Sequence, residues 1–158
     1  MKEKEVQKVL KEWFENKGFK VIENVKVNSE NCVDLVATKE NEKWIIEVKG
    51  DYDRNTAQYN VNFDTGMGQL LKSITIIDDK TKYAICIPFY AICIPFSRTE
   101  RGEKLSYRLI LKKYSKSIIF EMLNIHLILI RDDKSVEIIS PANIIKFLTS
   151  INPKIKRR

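Results

Sequence analysis

The sequence predicts a single α/β sandwich over residues 1–152, with a mixed central β-sheet flanked by helices and a basic tail at 153–158. Three observations lead there. The chain alternates between apolar runs of strand length and runs of helical period, in the order helix, three strands, helix, strand, helix, two strands, helix. The strand runs around Val33–Val36 and Trp44–Val48 are apolar on both sides, as in a sheet covered on both faces. The chain has 158 residues and 44% hydrophobic content, enough for one core.

Residues 3–17 carry Val6, Val9, Leu10, Trp13 and Phe14 at helical spacing. Gly18 follows as the expected C-terminal cap. Phe19 to Val27 reads as a first strand and Asn28 to Asn31 as a turn. Val33 to Gly50 reads as two apolar strands joined by a polar hairpin turn at 39–43. Asp51 to Asn60 is polar and aperiodic, and is expected to be a loop near any site on the hairpin, offering Tyr52, Arg54 and Tyr59 to a substrate. A helix is expected from Asn62 to Ile74, with Met67, Leu70, Leu71 and Ile74 as its stripe and Gln69 just off it. Gly66 and Gly68 would let another chain segment approach this helix closely.

Tyr83–Phe89, YAICIPF, is followed at once by an identical copy, Tyr90–Phe96. One copy fits a strand; a heptad is too short for a solenoid. In one continuous strand an odd repeat would put the second copy's residues on the opposite face, and Pro88 would interrupt a central ladder. Ser97 to Lys104 is a basic loop containing Arg98 and Arg101. A helix is expected from Lys104 to Leu123, with Lys104, Arg108, Lys112 and Lys116 recurring every four residues as a stripe that could track phosphates. Ile125 to Ile130 and Val136 to Ile139 read as strands. Ser140-Pro141 is a helix start of the N-cap-then-proline kind.

Composition narrows the chemistry. The net charge is +7, which favours an anionic partner, nucleic acid before a membrane. No segment approaches about 18 uninterrupted apolar residues, and MKEKEVQK is no signal peptide, so a cytoplasmic protein is expected. A single histidine, His126, excludes two-histidine chemistry, and its strand-like surroundings read as structural. Cys32, Cys86 and Cys93 form no Cys-x-x-Cys, so neither a zinc knuckle nor a disulfide framework is indicated.

The hairpin holds charges that a buried sheet should not have. Asp34 interrupts one strand; Glu47 and Lys49 interrupt the other and point to one face, opposite Trp44, Ile46 and Val48. Pairing the strands can bring Asp34 near Glu47, which is costly without positive charge between them. A divalent cation and an ammonium would supply it. The plainer alternative is a surface hairpin with an ordinary Glu–Lys pair on its wet face.

An Asp, twelve intervening residues and Glu-Val-Lys, each on an apolar strand, resembles the PD-(D/E)xK nuclease superfamily of restriction-endonuclease-like fold. Gly68-Gln69-Leu70-Leu71 resembles the run those proteins carry on the next helix. The residue before Asp34 is Val33, where the pattern has a proline. The resemblance implies a magnesium-dependent endonuclease acting on DNA, with manganese able to substitute. Asp34, Glu47 and the Val48 carbonyl would hold the metal, Lys49 would orient the attacking water, and Gln69 would support Lys49. Relatives often add a first-helix Glu, for which Glu5 is the candidate here, with Glu12 one heptad on; the usual position holds Gln7. Arg54, Arg98, Arg101, Arg108, Lys112 and Lys116 would contact nucleic acid. A dimeric Holliday-junction-type resolvase is the alternative within the superfamily, and a homodimer is expected on that reading. A catalytically inactive nucleic-acid-binding module of the same fold is the alternative outside catalysis.

Overall fold

The computed structural model describes residues 1–28, 31–51, 56–89, 107–114 and 116–150. In chain order these form α1 (Glu3–Asn16), β1 (Lys20–Lys26), β2 (Cys32–Lys39), β3 (Glu42–Val48), α2 (Thr56–Ser73), β4 (Thr81–Pro88), α3 (Arg108–Lys113), α4 (Ile119–Met122), β5 (Ile125–Ile130), β6 (Val136–Ile139) and α5 (Pro141–Ser150). The strands make one six-stranded sheet in sequence order. β2 runs antiparallel to both its neighbours β1 and β3, β3–β4 and β4–β5 are parallel, and β6 returns antiparallel to β5. The chain is therefore an α/β fold with a mixed sheet.

Strand alternation divides the apolar residues between two layers. Ile45, Ile85, Ile87, Leu127 and Leu129 face one way, onto Phe63, Met67 and Leu70 of α2 and Ile144 and Leu148 of α5. Trp44, Ile46, Val48, Ala84, Cys86 and Ile128 face the other way, onto Val6, Leu10 and Phe14 of α1. The parallel strands β4 and β5 are buried on both faces, which is why Ala84-Ile-Cys-Ile and Ile125-His-Leu-Ile-Leu-Ile are almost unbroken apolar runs. Gly18 ends α1 with φ +83, as a C-terminal glycine does.

Two helices differ from the sequence expectation. α2 begins at Thr56, inside the stretch read as loop. Its first turns are held by polar contacts, Gln58 Nε2 to Asn62 Oδ1 at 2.9 Å and Lys113 Nζ to Asn60 Oδ1, and so leave no apolar period to read. The single helix expected over 104–123 is instead α3 and α4, with a turn around Tyr114 and Ser117. Leu111 and Phe120 are both buried in the same layer. At 3.6 residues per turn, nine residues is a half-integral number of turns, so one helix would aim these side chains in opposite directions. The break lets both reach the core. It also separates the expected basic stripe: Arg108 and Lys112 lie on α3, Lys116 is exposed in the turn beyond it, and Lys104 lies outside the described residues.

The first YAICIPF copy supplies β4, an interior strand, and Pro88 stands at its last position, opposite Ile130. The second copy, the basic loop with Arg98 and Arg101, Tyr52, Arg54 and the 153–158 tail lie outside the described residues. Among the described residues no helix is long and apolar enough to cross a membrane.

Candidate active site

The site forms where β2 and β3 part. Their ladder runs from Lys39–Glu42 to Leu35–Ile46 and stops there. The next pair in register would be Asp34 with Glu47. Instead the Asp34 side chain takes the place of a backbone acceptor: Val48 N–H donates to Asp34 Oδ2 at 2.7 Å. The Asp34 carbonyl accepts from Gln7 Nε2 of α1 at 3.0 Å. On the other flank Asn24 has φ 52, in the left-handed region that Asn tolerates better than most residues. Beyond it the β1–β2 pair turns over. Leu35 and Ala37 belong to the α1 layer, whereas Val33 and Val25 pack in the α2 layer.

Glu47 and Lys49 are both buried at the end of β3. Lys49 Nζ donates to Glu47 Oε1 at 2.6 Å, while Glu47 Oε2 has no hydrogen-bond partner. Burial pushes the Glu47 carboxyl up to about 7; the Asp34 carboxylate adds to this, and Lys49 opposes it. Burial works against the Lys49 charge, and is the largest single influence on it. The hydrogen bond to Glu47 and the fields of Glu47, Asp34 and Glu3 together still hold the ammonium above its ordinary range.

Two glycines bring helices against this strand end. A Cβ on Gly50 would lie 2.1 Å from Glu3 N and 2.6 Å from Glu3 Cα, so only glycine admits the start of α1 there. A Cβ on Gly66 of α2 would lie 2.7 Å from Lys49 Cε. Lys49 N–H is bound to Cys86 O at 2.8 Å, and the buried Tyr107 hydroxyl donates to Gly50 O at 2.7 Å.

The structure thus brings Asp34, Glu47, Val48 and Lys49 together as their spacing predicts. Glu5 is not among them. It is exposed and faces Lys134, with Glu5 Oε1 and Lys134 Nζ 3.9 Å apart. The first-helix acid that acts on Lys49 is Glu3, two residues earlier and so on another side of α1. Gln69 is exposed on α2 and makes no hydrogen bond to Lys49; the α2 residue against Lys49 is Gly66, one turn before it. Gln7 stands at the position that the resembled pattern gives to a glutamate, and it reaches the Asp34 carbonyl; Tyr107 carries no motif, and no sequence signal marks its contact. Gly50 signals a close approach without saying by what. His126 is structural: its ring packs on Trp44 at 4.9 Å between centroids, and burial, then Lys82, holds it below its ordinary value. Among the described residues no group of three or more His, Cys, Asp or Glu side chains is arranged to hold a metal ion.

No protein-family model matches the chain, and no curated protein is detectably similar to it. Among solved structures it is similar to a protein of unknown function from Silicibacter pomeroyi. That similarity is 14% in identity with a TM-score of 0.47, over 95% of this chain and 82% of that one.

Proposed function

We propose that this protein is a metal-dependent DNA endonuclease of the PD-(D/E)xK type and restriction-endonuclease-like fold. The observation that carries the reading is the buried Glu47 carboxylate. One oxygen is held by Lys49 and the other has no partner, beside an Asp34 carboxylate that the parted strands have drawn in. Buried carboxylate oxygens without a hydrogen-bond donor are uncommon in folded proteins. Hard divalent cations take oxygen donors of this kind. Asp34, Glu47 and the Val48 carbonyl would hold magnesium, or manganese in its place. Such an ion supplies Lewis-acid charge at the scissile phosphate.

The protein's own groups do the rest. Lys49 presents a charged ammonium to Glu47 and keeps it from being left as an isolated buried charge. Glu47, whose carboxyl burial pushes up to about 7, would give up its proton to a bound cation. Asp34, Gln7 and Val48 lock the strand geometry around these two. The net charge of +7 suits a polyanionic substrate.

A second reading, a nucleic-acid-binding module without catalysis, has one observation behind it. The described residues offer two carboxylates and no third ligand of the usual kinds. One assay separates the two: supercoiled plasmid, linear duplex, single strands and a four-way junction, each with magnesium or manganese against EDTA, and Glu47→Ala in parallel. Metal-dependent cutting that disappears in Glu47→Ala is expected, and preference for the junction would identify a resolvase. A folded protein that cuts none of these and binds no magnesium in a calorimetric titration overturns the nuclease reading.

A further inference from the structure

Gly66 and Gly68 stand two residues apart in α2, yet only one of them is needed for space. At Gly68 an added Cβ would meet nothing within 4 Å. At Gly66 it would lie 2.7 Å from Lys49 Cε, 3.1 Å from Lys49 Cγ and 3.3 Å from Ile85 Cδ1. Ile85 is the β4 residue level with Glu47. The Lys49 stem therefore runs in a slot against the bare α2 backbone, with Ile85 of β4 also bordering it. At its far end the ammonium meets Glu47 Oε1 at 2.6 Å. A lysine stem is flexible and its charge a mobile point. This one is confined along its length as well as at its tip.

We propose that Gly66 is a positioning residue of the candidate site: its missing side chain makes the slot that fixes the Lys49 stem and so aims the ammonium. The slot is a matter of geometry; its role in turnover rests on the nuclease reading. Helix propensity makes the idea testable by sign. Glycine is a poorer helix residue than alanine, so Gly→Ala inside a helix stabilises it unless the methyl has nowhere to go.

The experiment compares Gly66→Ala, Gly68→Ala, Lys49→Ala and the double variant Gly66→Ala/Lys49→Ala in the full chain, by urea midpoint and by magnesium-dependent cleavage. Gly68→Ala is expected to raise the midpoint and Gly66→Ala to lower it. In the Lys49→Ala background, where Cγ and Cε are gone, Gly66→Ala is expected to raise it. Should Gly66→Ala alone fail to fold, the double variant still tests the slot. In turnover, Gly66→Ala is expected to lower kcat about 10- to 100-fold with KM unchanged, as a displaced catalytic group does, and Gly68→Ala to change neither. The slot is disproved if Gly66→Ala stabilises as Gly68→Ala does, or destabilises equally without Lys49. A kcat no lower than that of Gly68→Ala, with the stability signs as expected, would reduce Gly66 to packing and overturn the positioning role. A folded parent chain that cuts nothing and binds no magnesium refutes the nuclease reading, while the midpoints still decide the slot.

Discussion

β3 carries a Glu–Lys pair at each end, with the same 2.6 Å separation and opposite electrostatics. At its start Glu42 accepts from Lys82, with side chains 38% and 31% exposed, and Lys82 lies 5.0 Å over the Trp44 ring. At its end Glu47 accepts from Lys49, with side chains 2% and 10% exposed. The Lys82 hydrogen bond holds the Glu42 carboxyl below the usual range. Glu47 has the same kind of partner and is nevertheless pushed up to about 7 by burial and by Asp34. Distance to a lysine does not decide ionisation. Access to water and the presence of a second carboxylate do, and those set a candidate chemical site apart from a surface ion pair.

The strand beside both ends offers the largest test of this difference. Trp44 is level with Lys82 on β4, and Glu47 with Ile85. Because YAICIPF recurs without change, sliding the chain by seven residues would return the same side chain to every position from Tyr83 to Phe89. The changes within β4 would fall before the heptad, Lys82 giving way to Phe89 and Thr81 to Pro88. The surroundings of Glu47 would survive and the Glu42 pair would be lost. Ile85→Asp puts an unpaired carboxylate at a fully buried position. Urea unfolding is expected to show a loss of about 3–5 kcal/mol in a chain lacking residues 90–96, and a smaller loss in the intact chain. Equal losses would mean that the second copy cannot stand in for the first.

A middle-sized effect is expected at Glu47. Its folded value of about 7 lies above its ordinary 4.5. Its contribution to stability is therefore fully present below the ordinary value and lost as pH rises to about 7. Glu47→Gln cannot ionise. Its Tm should gain on the parent's across that window and remain higher above it. A difference that does not vary with pH would mean that the carboxyl is not held up by burial.

The smallest effect is expected at Glu42, and with the opposite slope. A lowered carboxyl contributes stability that is present above its ordinary value and lost as pH falls through the folded one. Glu42→Gln should cost under about 1 kcal/mol at neutral pH. Half-molar salt should erase most of it in parallel Tm measurements, because the pair is open to solvent. A cost as large as that of a core substitution would refute the contrast between the two ends.

Much of this was open to reading from residue order, for reasons that differ by element. Strand alternation shows in Trp44-Ile-Ile-Glu-Val-Lys49 because the two sides of a pleated strand meet different surroundings. A short hairpin then leaves little freedom in register, so Asp34, Glu47 and Lys49 could be brought to one place on spacing alone. The polar first turns of α2 left no apolar period, and the break between α3 and α4 hid inside a run of mixed residues. Glu5 and Gln69 were read from a family pattern, but the helices that carry them are turned so that Glu3 and Gly66 reach Lys49 instead.

Local periodicity thus sufficed for the strands, for their layering and for the convergence of the charged residues, because each depends on neighbours within a single hairpin. Which helix residue touches that hairpin depends on packing across long stretches of chain. The start of α1 docks on Gly50, forty-seven residues from Glu3, and α2 lies on Lys49 through a missing side chain. Such contacts follow from how whole faces fit together, so their partners, and the desolvation that lifts Glu47, came into being only with the folded core.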